Sequence, residues 1–343
     1  CTLGWPVQGI WPKCADGTDI NALDLNGPPS MNDKSKKTLI TADDSGKLKM
    51  FRWPCIEKGS PFSVESGHAS HVTNVRWNSN NEWVVSTGGN DRCVFQWKLM
   101  NQEVFDDGKK EFHGEEVEHD AFDPFASVGG GDEFQAVKPW KGQIAIPKDP
   151  MPSNPLVPKI EPELEWIFGY RSQDCHDNLR YSASGDIIYH SAAVGIVLND
   201  STENGDEEDG NTNPYTQRFF REHDDDIVCL DVDPNGRYVA TGQVQSSKSR
   251  KMKPCVKIWD AESCRPICTL GRFHKRAVTS VAFSADGKWC GSVGGDNDHS
   301  VALWGSRTGQ WNDGKLLTTC RGDPGRTLFL TFAGDKEGKE REK

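Results

Sequence analysis

The sequence is short of several things. No apolar run is long enough to cross a membrane as a helix, so no membrane partner is expected. The start, Cys1-Thr2-Leu3-Gly4-Trp5-Pro6, lacks the charged region and apolar core of a signal peptide. It also lacks an initiating Met, and the expectation is an excerpt of a longer chain. No Cys-x-x-Cys pair occurs among the 11 cysteines; Cys264 and Cys268 lie closest, with no matching second pair. That pattern argues against a zinc site or a disulfide framework and fits a reducing, intracellular setting. Cys93, Cys229 and Cys290 fall on strand positions and read as small buried apolar residues. There is no phosphate loop, metal cluster or nucleophile elbow, so no cofactor, metal or catalytic residue is expected. A strongly basic stripe with interleaved aromatics is missing, which argues against nucleic acid as a partner.

The net charge of −11 is concentrated in two stretches. Residues 101–132 hold ten acids against Lys109 and Lys110, a net of −8, and residues 200–210 hold six acids and no base. Removing both leaves the remainder at +3, so the acidity belongs to loops and the folded part is near neutral.

What is present is a repeat. From Gly67 to Trp97 the chain reads as Gly-His, a polar loop, and three short strands separated by two turns. The strand runs are Val72–Trp77, Trp83–Thr87 and Cys93–Trp97, with Gly88-Gly89 and Asp91 in the second turn. His68, His223 and His274 each stand four residues before a strand that opens at Val72, Ile227 or Val278. Eleven residues further on, Trp83, Tyr238 and Trp289 open the second strand. Trp97, Trp259 and Trp304 close the units, and Asp91 and Asp298 stand six residues before their tryptophans. Agreement at several positions in three copies signals a repeat architecture, here all-β propeller blades.

These units resemble WD40 repeats. The resemblance implies a buried hydrogen-bonded set of His, Ser/Thr, Asp and Trp in each blade, because a buried Asp is tolerated only when partnered. Here the sets are His68, Ser86, Asp91 and Trp97, then His223 and Trp259, then His274, Ser292, Asp298 and Trp304. A catalytic reading of the same residue types fails because a catalytic set has no reason to recur once per blade. Cys175-His176-Asp177 invites a nucleophile–base reading, but it sits in a polar turn and the signatures of thiol enzymes are absent.

In chain order, residues 18–53 read as another blade, with Phe51 where Trp would close it, and the next runs from about Gly67 to Met100. Residues 101–163 are acidic, then rich in Gly and Pro, and read as a linker. Structure is expected to resume at Leu164, with strand runs at Ile187–Tyr189 and Val194–Leu198. Residues 200–213 read as an acidic insertion, Thr327–Phe332 as one more first strand, and residues 336–343 as a charged tail.

A closer resemblance lies in three places. Gly9-Ile10-Trp11-Pro12, Asp16 to Asn21 and His71 to Val75 resemble the end of a tandem propeller unit of the echinoderm microtubule-associated-protein-like (EML) family. Gly169-Tyr170-Arg171 with Asp174-Cys175 and Asn178-Leu179 resembles its HELP motif. His223 to Ile227 and Ala240 to Val244 resemble its first WD repeats. The resemblance implies parts of two propellers joined by an irregular linker: the last two blades of one in 1–100, and a HELP-like segment with the first blades of a second in 164–335. It further implies a non-catalytic protein of the cytoplasmic cytoskeleton, with the ciliary axoneme as a special case. Its expected partner is tubulin or the microtubule lattice, or another microtubule-bound protein. Two readings compete. A substrate adaptor in a larger enzyme complex would need a docking helix outside the repeats, and a propeller hydrolase would need a carboxylate pair or metal site in the channel.

The candidate partner surface is the expanded turn before Trp259, which carries Lys248, Arg250, Lys251 and Lys253 and no acid. In a WD40 blade this turn shares a face with the loop of the opening His, which places Lys275 and Arg276 beside it. Such a patch attracts an acidic lattice through contacts that weaken as salt rises.

Overall fold

The computed structural model describes residues 9–10, 20–27, 37–57, 59–101, 152, 156–158, 160–200, 215–246, 253–322 and 329–333. Most first and second strands below are short alternating or apolar runs bounded by turn residues. The chain divides into two units. The first comprises 1–66, 71–88 and 94–165; the second comprises 67–70, 89–93 and 166–343.

The first unit holds two four-stranded sheets. One is ordered β1 (Ile20–Leu25), β2 (Thr38–Asp43), β3 (Leu48–Arg52), β4 (Phe62–Glu65). The other is ordered β5 (Val72–Trp77), β6 (Trp83–Gly88), β7 (Val94–Asn101), β8 (Ile160–Phe168). In the first sheet Phe51 is buried against Leu39 and Phe62, and its ring, unlike an indole, has no N–H to donate.

Strand β8 corrects the expected linker boundary. It starts at Ile160, inside the stretch read as linker, and supplies the outer strand of the β5–β7 blade. Pro162 is compatible with a strand here because an edge strand can do without one amide. Glu165 ties β8 inward: its Oε2 accepts from Trp83 Nε1 at 2.6 Å and from Gln96 Nε2 at 2.8 Å. Most of residues 101–159, and the tail 334–343, lie outside the described residues.

The second unit holds three sheets. They are β9 (Arg180–Tyr181), β10 (Ile187–Ser191), β11 (Val194–Asp200), β12 (Tyr215–Phe220); then β13 (Ile227–Val232), β14 (Tyr238–Gln243), β15 (Cys255–Asp260), β16 (Pro266–Gly271); then β17 (Val278–Phe283), β18 (Trp289–Gly294), β19 (Val301–Gly305), β20 (Lys315–Cys320). All six residues of β14 are buried, whereas all six of β20 are exposed. Between the β13 and β17 sheets lies an apolar core that includes Val256, Ile258, Val278, Phe283 and Trp311. A second core stacks Phe220 on Trp259 with ring centroids 4.8 Å apart.

The repeat reaches into backbone detail. Four first strands (β1, β5, β13 and β17) carry a register shift immediately after their opening residue. Such bulges bend the strand and increase its twist. In the turn to the second strand, Asn81, Gly236 and Gly287 occupy one repeat position at φ of 61°, 70° and 69°. Asn tolerates this left-handed region better than most side chains. Three residues earlier, Asn78, Asp233 and Ser284 each accept the backbone N–H of the second strand's first residue. Successive blades are stitched in the same way in both units: Asp24 Oδ2 accepts from Trp77 N at 2.9 Å, and Asp231 Oδ2 from Phe283 N at 2.8 Å.

Of the expected strand Thr327–Phe332, residues 329–332 are among those described. Residues 329–333 carry no strand pairing. Leu330 N instead donates to Ser280 Oγ at 3.0 Å, and its side chain fills the space a Cβ at Gly291 would need.

Candidate functional site: polar relays and a basic face

The structure places the expected His, hydroxyl and Trp groups in buried chains. In the β13 blade, Trp259 Nε1 donates to Thr241 Oγ1 at 3.2 Å, and Thr241 Oγ1 lies 2.8 Å from His223 Nε2. His223 Nδ1 lies 2.6 Å from Gln243 Oε1, and Gln243 Nε2 donates to Asp224 Oδ1 at 2.5 Å. One imidazole tautomer satisfies every partner: Nε2 accepts from the Thr241 hydroxyl and Nδ1–H donates to the Gln243 carbonyl. The β17 blade repeats the direction. Trp304 Nε1 donates to Ser292 Oγ at 2.8 Å, and Ser292 Oγ lies 2.7 Å from His274 Nε2. His274 Nδ1 lies 3.1 Å from Ser300 Oγ, which donates to Asp296 Oδ2 at 2.5 Å.

Asp298 therefore needs correction. It is exposed, and its backbone carbonyl accepts from Gly322 N; Asp296 holds the carboxylate end of the relay. The turn from β18 to β19 is one residue longer than that from β6 to β7, and Ser300 stands between ring and carboxylate, so the relay acid lies eight residues before Trp304 rather than six. Thr241, Gln243, Asp296 and Ser300 were missed by sequence reasoning. A signal existed for Thr241, which follows His223 at the step that separates His68 from Ser86 and His274 from Ser292.

His68 and Asp91 pair directly, Nδ1 to Oδ2 at 2.8 Å, and Asp91 also accepts the Ala69 and Cys93 amides. Trp97 Nε1 donates to Ser86 Oγ at 2.9 Å. Burial pushes His223 and His274 down to about 4, with the contact to Gln243 opposing the fall at His223 and the charge of Asp296 opposing it at His274. Both imidazoles are neutral at neutral pH and are committed to structure.

The stretch read as HELP-like folds around one cation. Arg171 donates through Nε and Nη2 to both oxygens of Asp174 at 2.7 Å, and its Nη1 pairs with Asp226 Oδ1 at 2.5 Å. Burial opposes the guanidinium charge, but Asp174 and Asp226 outweigh it and hold Arg171 protonated. Tyr170 Oη donates to Asn178 Oδ1, and Asn178 Nδ2 donates to the Arg171 carbonyl at 2.7 Å. Next to this cluster the Cys175 thiol is pushed up to about 12 by burial, and its hydrogen bond goes to Asp174 at 3.5 Å. His176 points to solvent, so the Cys175-His176 neighbours do not form a nucleophile–base pair. Cys93 is likewise buried and pushed up to about 12, with Ser191 Oγ at 2.7 Å. Among the described residues all nine cysteines are free.

Lys248, Arg250 and Lys251 of the expected basic turn lie outside the described residues. Lys253, Lys275 and Arg276 are exposed. Val244 bridges Ala277, and Gln245 N donates to the Arg276 carbonyl at 2.5 Å, so Gln245, the first residue of the expanded turn, is held beside Arg276.

Comparison with known proteins divides the chain into three matched segments. Residues 1–99 match the echinoderm microtubule-associated protein second β-propeller, residues 157–196 the HELP motif, and residues 216–338 the echinoderm microtubule-associated protein first β-propeller. Echinoderm microtubule-associated protein-like 1 of Rattus norvegicus is 43% identical over 100 residues, covering 29% of this chain and 11% of that protein. Echinoderm microtubule-associated protein-like 4 of Homo sapiens is 41% identical over 102 residues, covering 30% of this chain and 10% of that protein. Echinoderm microtubule-associated protein-like 3 of Mus musculus is 39% identical over 100 residues, covering 29% and 10%. The matched region thus spans about a tenth of the length of these relatives. In chain order, then, the matches are to the second propeller, the HELP motif and the first propeller of the echinoderm microtubule-associated protein family.

Proposed function

We propose that the chain is a non-catalytic microtubule-binding piece of a tandem-propeller protein of the cytoplasmic cytoskeleton, with the axoneme as one setting in which to look for it. The observation that carries this reading is the triple family match, joined to relatives named as microtubule-associated. In this reading residues 1–100 end one propeller and residues 164–335 begin another. Polar groups that resemble catalytic sets are held in structural relays, which supports binding rather than chemistry. Contact with the partner runs through the basic face that includes Lys253, Lys275 and Arg276, together with Lys248, Arg250 and Lys251. Tubulin in the lattice is the partner, attracted by charge and released by salt. Co-sedimentation with polymerised tubulin over a salt series tests this. The expected result is binding that weakens with salt and is reduced when Lys248, Arg250, Lys251 and Lys253 are replaced by Ser. No pelleting at low salt would overturn the reading.

A further inference from the structure

Three loops of the second unit border an open cavity of about 620 Å³ beside the β17 blade. Lys275, Arg276 and Arg321 line it. Arg276 is the central residue of a tight turn, with φ of +67° and the Ala277 N–H donating to the Lys275 carbonyl at 2.8 Å. Two backbone contacts fix it there, Gln245 N on its carbonyl and the adjacent Val244–Ala277 bridge. Its guanidinium gives one N–H to Asn297 Oδ1 at 2.8 Å, which sets the plane of the fork and leaves the remaining donors toward the cavity. Arg321 sits on the third loop, which Gly322 N anchors to the Asp298 carbonyl at 3.1 Å. Phe273, packed edge-on against His274 with centroids 5.0 Å apart, forms an apolar wall.

The charge count sets the sign of the ligand. Three cations face two carboxylates, Asp296 and Asp298, and Asp296 is committed to Ser300. The lining thus carries a surplus of one positive charge, which draws an anionic side chain, and Phe273 beside it suits the methylene stem of a glutamate. We propose that the cavity is a subsite for a glutamate side chain of an extended acidic peptide. Its carboxylate lies between the Arg276 and Arg321 forks, and its methylene stem lies on Phe273. Paired N–H donors from arginine match the two oxygens of a planar carboxylate. The inference rests on the microtubule reading only for the identity of the protein that carries the peptide.

The test uses the whole chain and a fluorescent ten-residue glutamate peptide, with glutamine and phosphoserine peptides as comparisons, read by anisotropy. Arg276→Gln and Arg321→Gln are each expected to weaken the glutamate peptide roughly tenfold, or about 1.4 kcal/mol, with unchanged melting temperature. Asp298→Asn should tighten it, and Lys288→Gln, an exposed lysine that is not part of the cavity lining, should leave it within about twofold. Equal affinity for the glutamine peptide, tighter binding of the phosphoserine peptide, or indifference to both arginine changes would overturn the subsite. Pelleting with microtubules that survives such a failure leaves the microtubule reading standing. Peptide binding without pelleting keeps the subsite and removes the lattice as its partner.

Discussion

In the β13 blade the buried relay runs Trp259, Thr241, His223, Gln243, Asp224; in the β17 blade it runs Trp304, Ser292, His274, Ser300, Asp296. The indole, hydroxyl and imidazole keep their spacing in both. The link between imidazole and carboxylate does not: it is an amide in one and a hydroxyl in the other. The carboxylate also changes side, standing directly after the histidine in the first blade and in the turn before the third strand in the second. The invariant part is set by sheet geometry, because strands one and two fix where the hydroxyl meets the ring. The remaining members need only pass a hydrogen bond outward to a group that solvent can reach.

The largest effect that sharpens this comparison is pH. An unfolded imidazole titrates near its ordinary value of about 6.5, whereas folded His223 and His274 sit at about 4 and His190 at about 3, all lowered first by burial. Below about pH 6.5 the unfolded chain takes up protons that the folded chain refuses. Stability therefore falls as pH drops from 6.5 toward 4, with a slope of about 1.4 kcal/mol per unit for each histidine, and these groups add no slope above that window. Urea midpoints measured from pH 7.5 down to pH 5 should decline steeply at the acid end. A level profile would show that the imidazoles are not held neutral.

Removing the shared hydroxyl comes next. Thr241→Val and Ser292→Ala each strand a buried indole N–H and an imidazole nitrogen, and each should cost about 2–3 kcal/mol in chemical denaturation. Losses of equal size keep the two blades equivalent; a loss in only one would break the comparison. The smallest effects come from the variable end. Gln243→Leu should cost about 1–2 kcal/mol and Asp296→Asn about 1 kcal/mol. Asp298→Asn should stay within about 0.5 kcal/mol, because the side chain is exposed. If Asp298→Asn proves as costly as Asp296→Asn, the relay has been drawn to the wrong acid.

Much of this was readable beforehand, and the failures have physical causes. The His-to-strand and strand-to-strand steps predicted β5, β6, β13, β14, β17 and β18 because each blade must return its chain to the same place. Asp298 was misread because in this longer turn a hydroxyl, Ser300, meets the ring and the carboxylate behind it, Asp296, lies two residues further from the tryptophan than Asp91 does. Gln243 was unreadable as a relay member, since an amide on a fully buried strand carries no spacing rule. Strand β8 was hidden by Pro162 and three glutamates, a composition that an edge strand tolerates and a sequence scan reads as loop. The cavity at Arg276 and Arg321 joins residues from three turns, which no local pattern links.

Strand β8 also sets a clock. Its partner β7 ends at Asn101, and residues 102–159 must be made before Ile160 emerges. At a synthesis rate of about 5–20 residues per second, the β5–β7 sheet stands with its outer edge open for roughly 3–12 s. An open strand edge is a template for pairing with another chain. The acidic residues 101–132 are the first to follow that edge out of the ribosome, and their like charge repels a second nascent copy during the wait. Once β8 arrives, the length of the intervening stretch matters little, because doubling a closed loop costs only about 0.6 kcal/mol. Sequence between β7 and β8 is thus free to lengthen or diversify while the blade it interrupts stays the same.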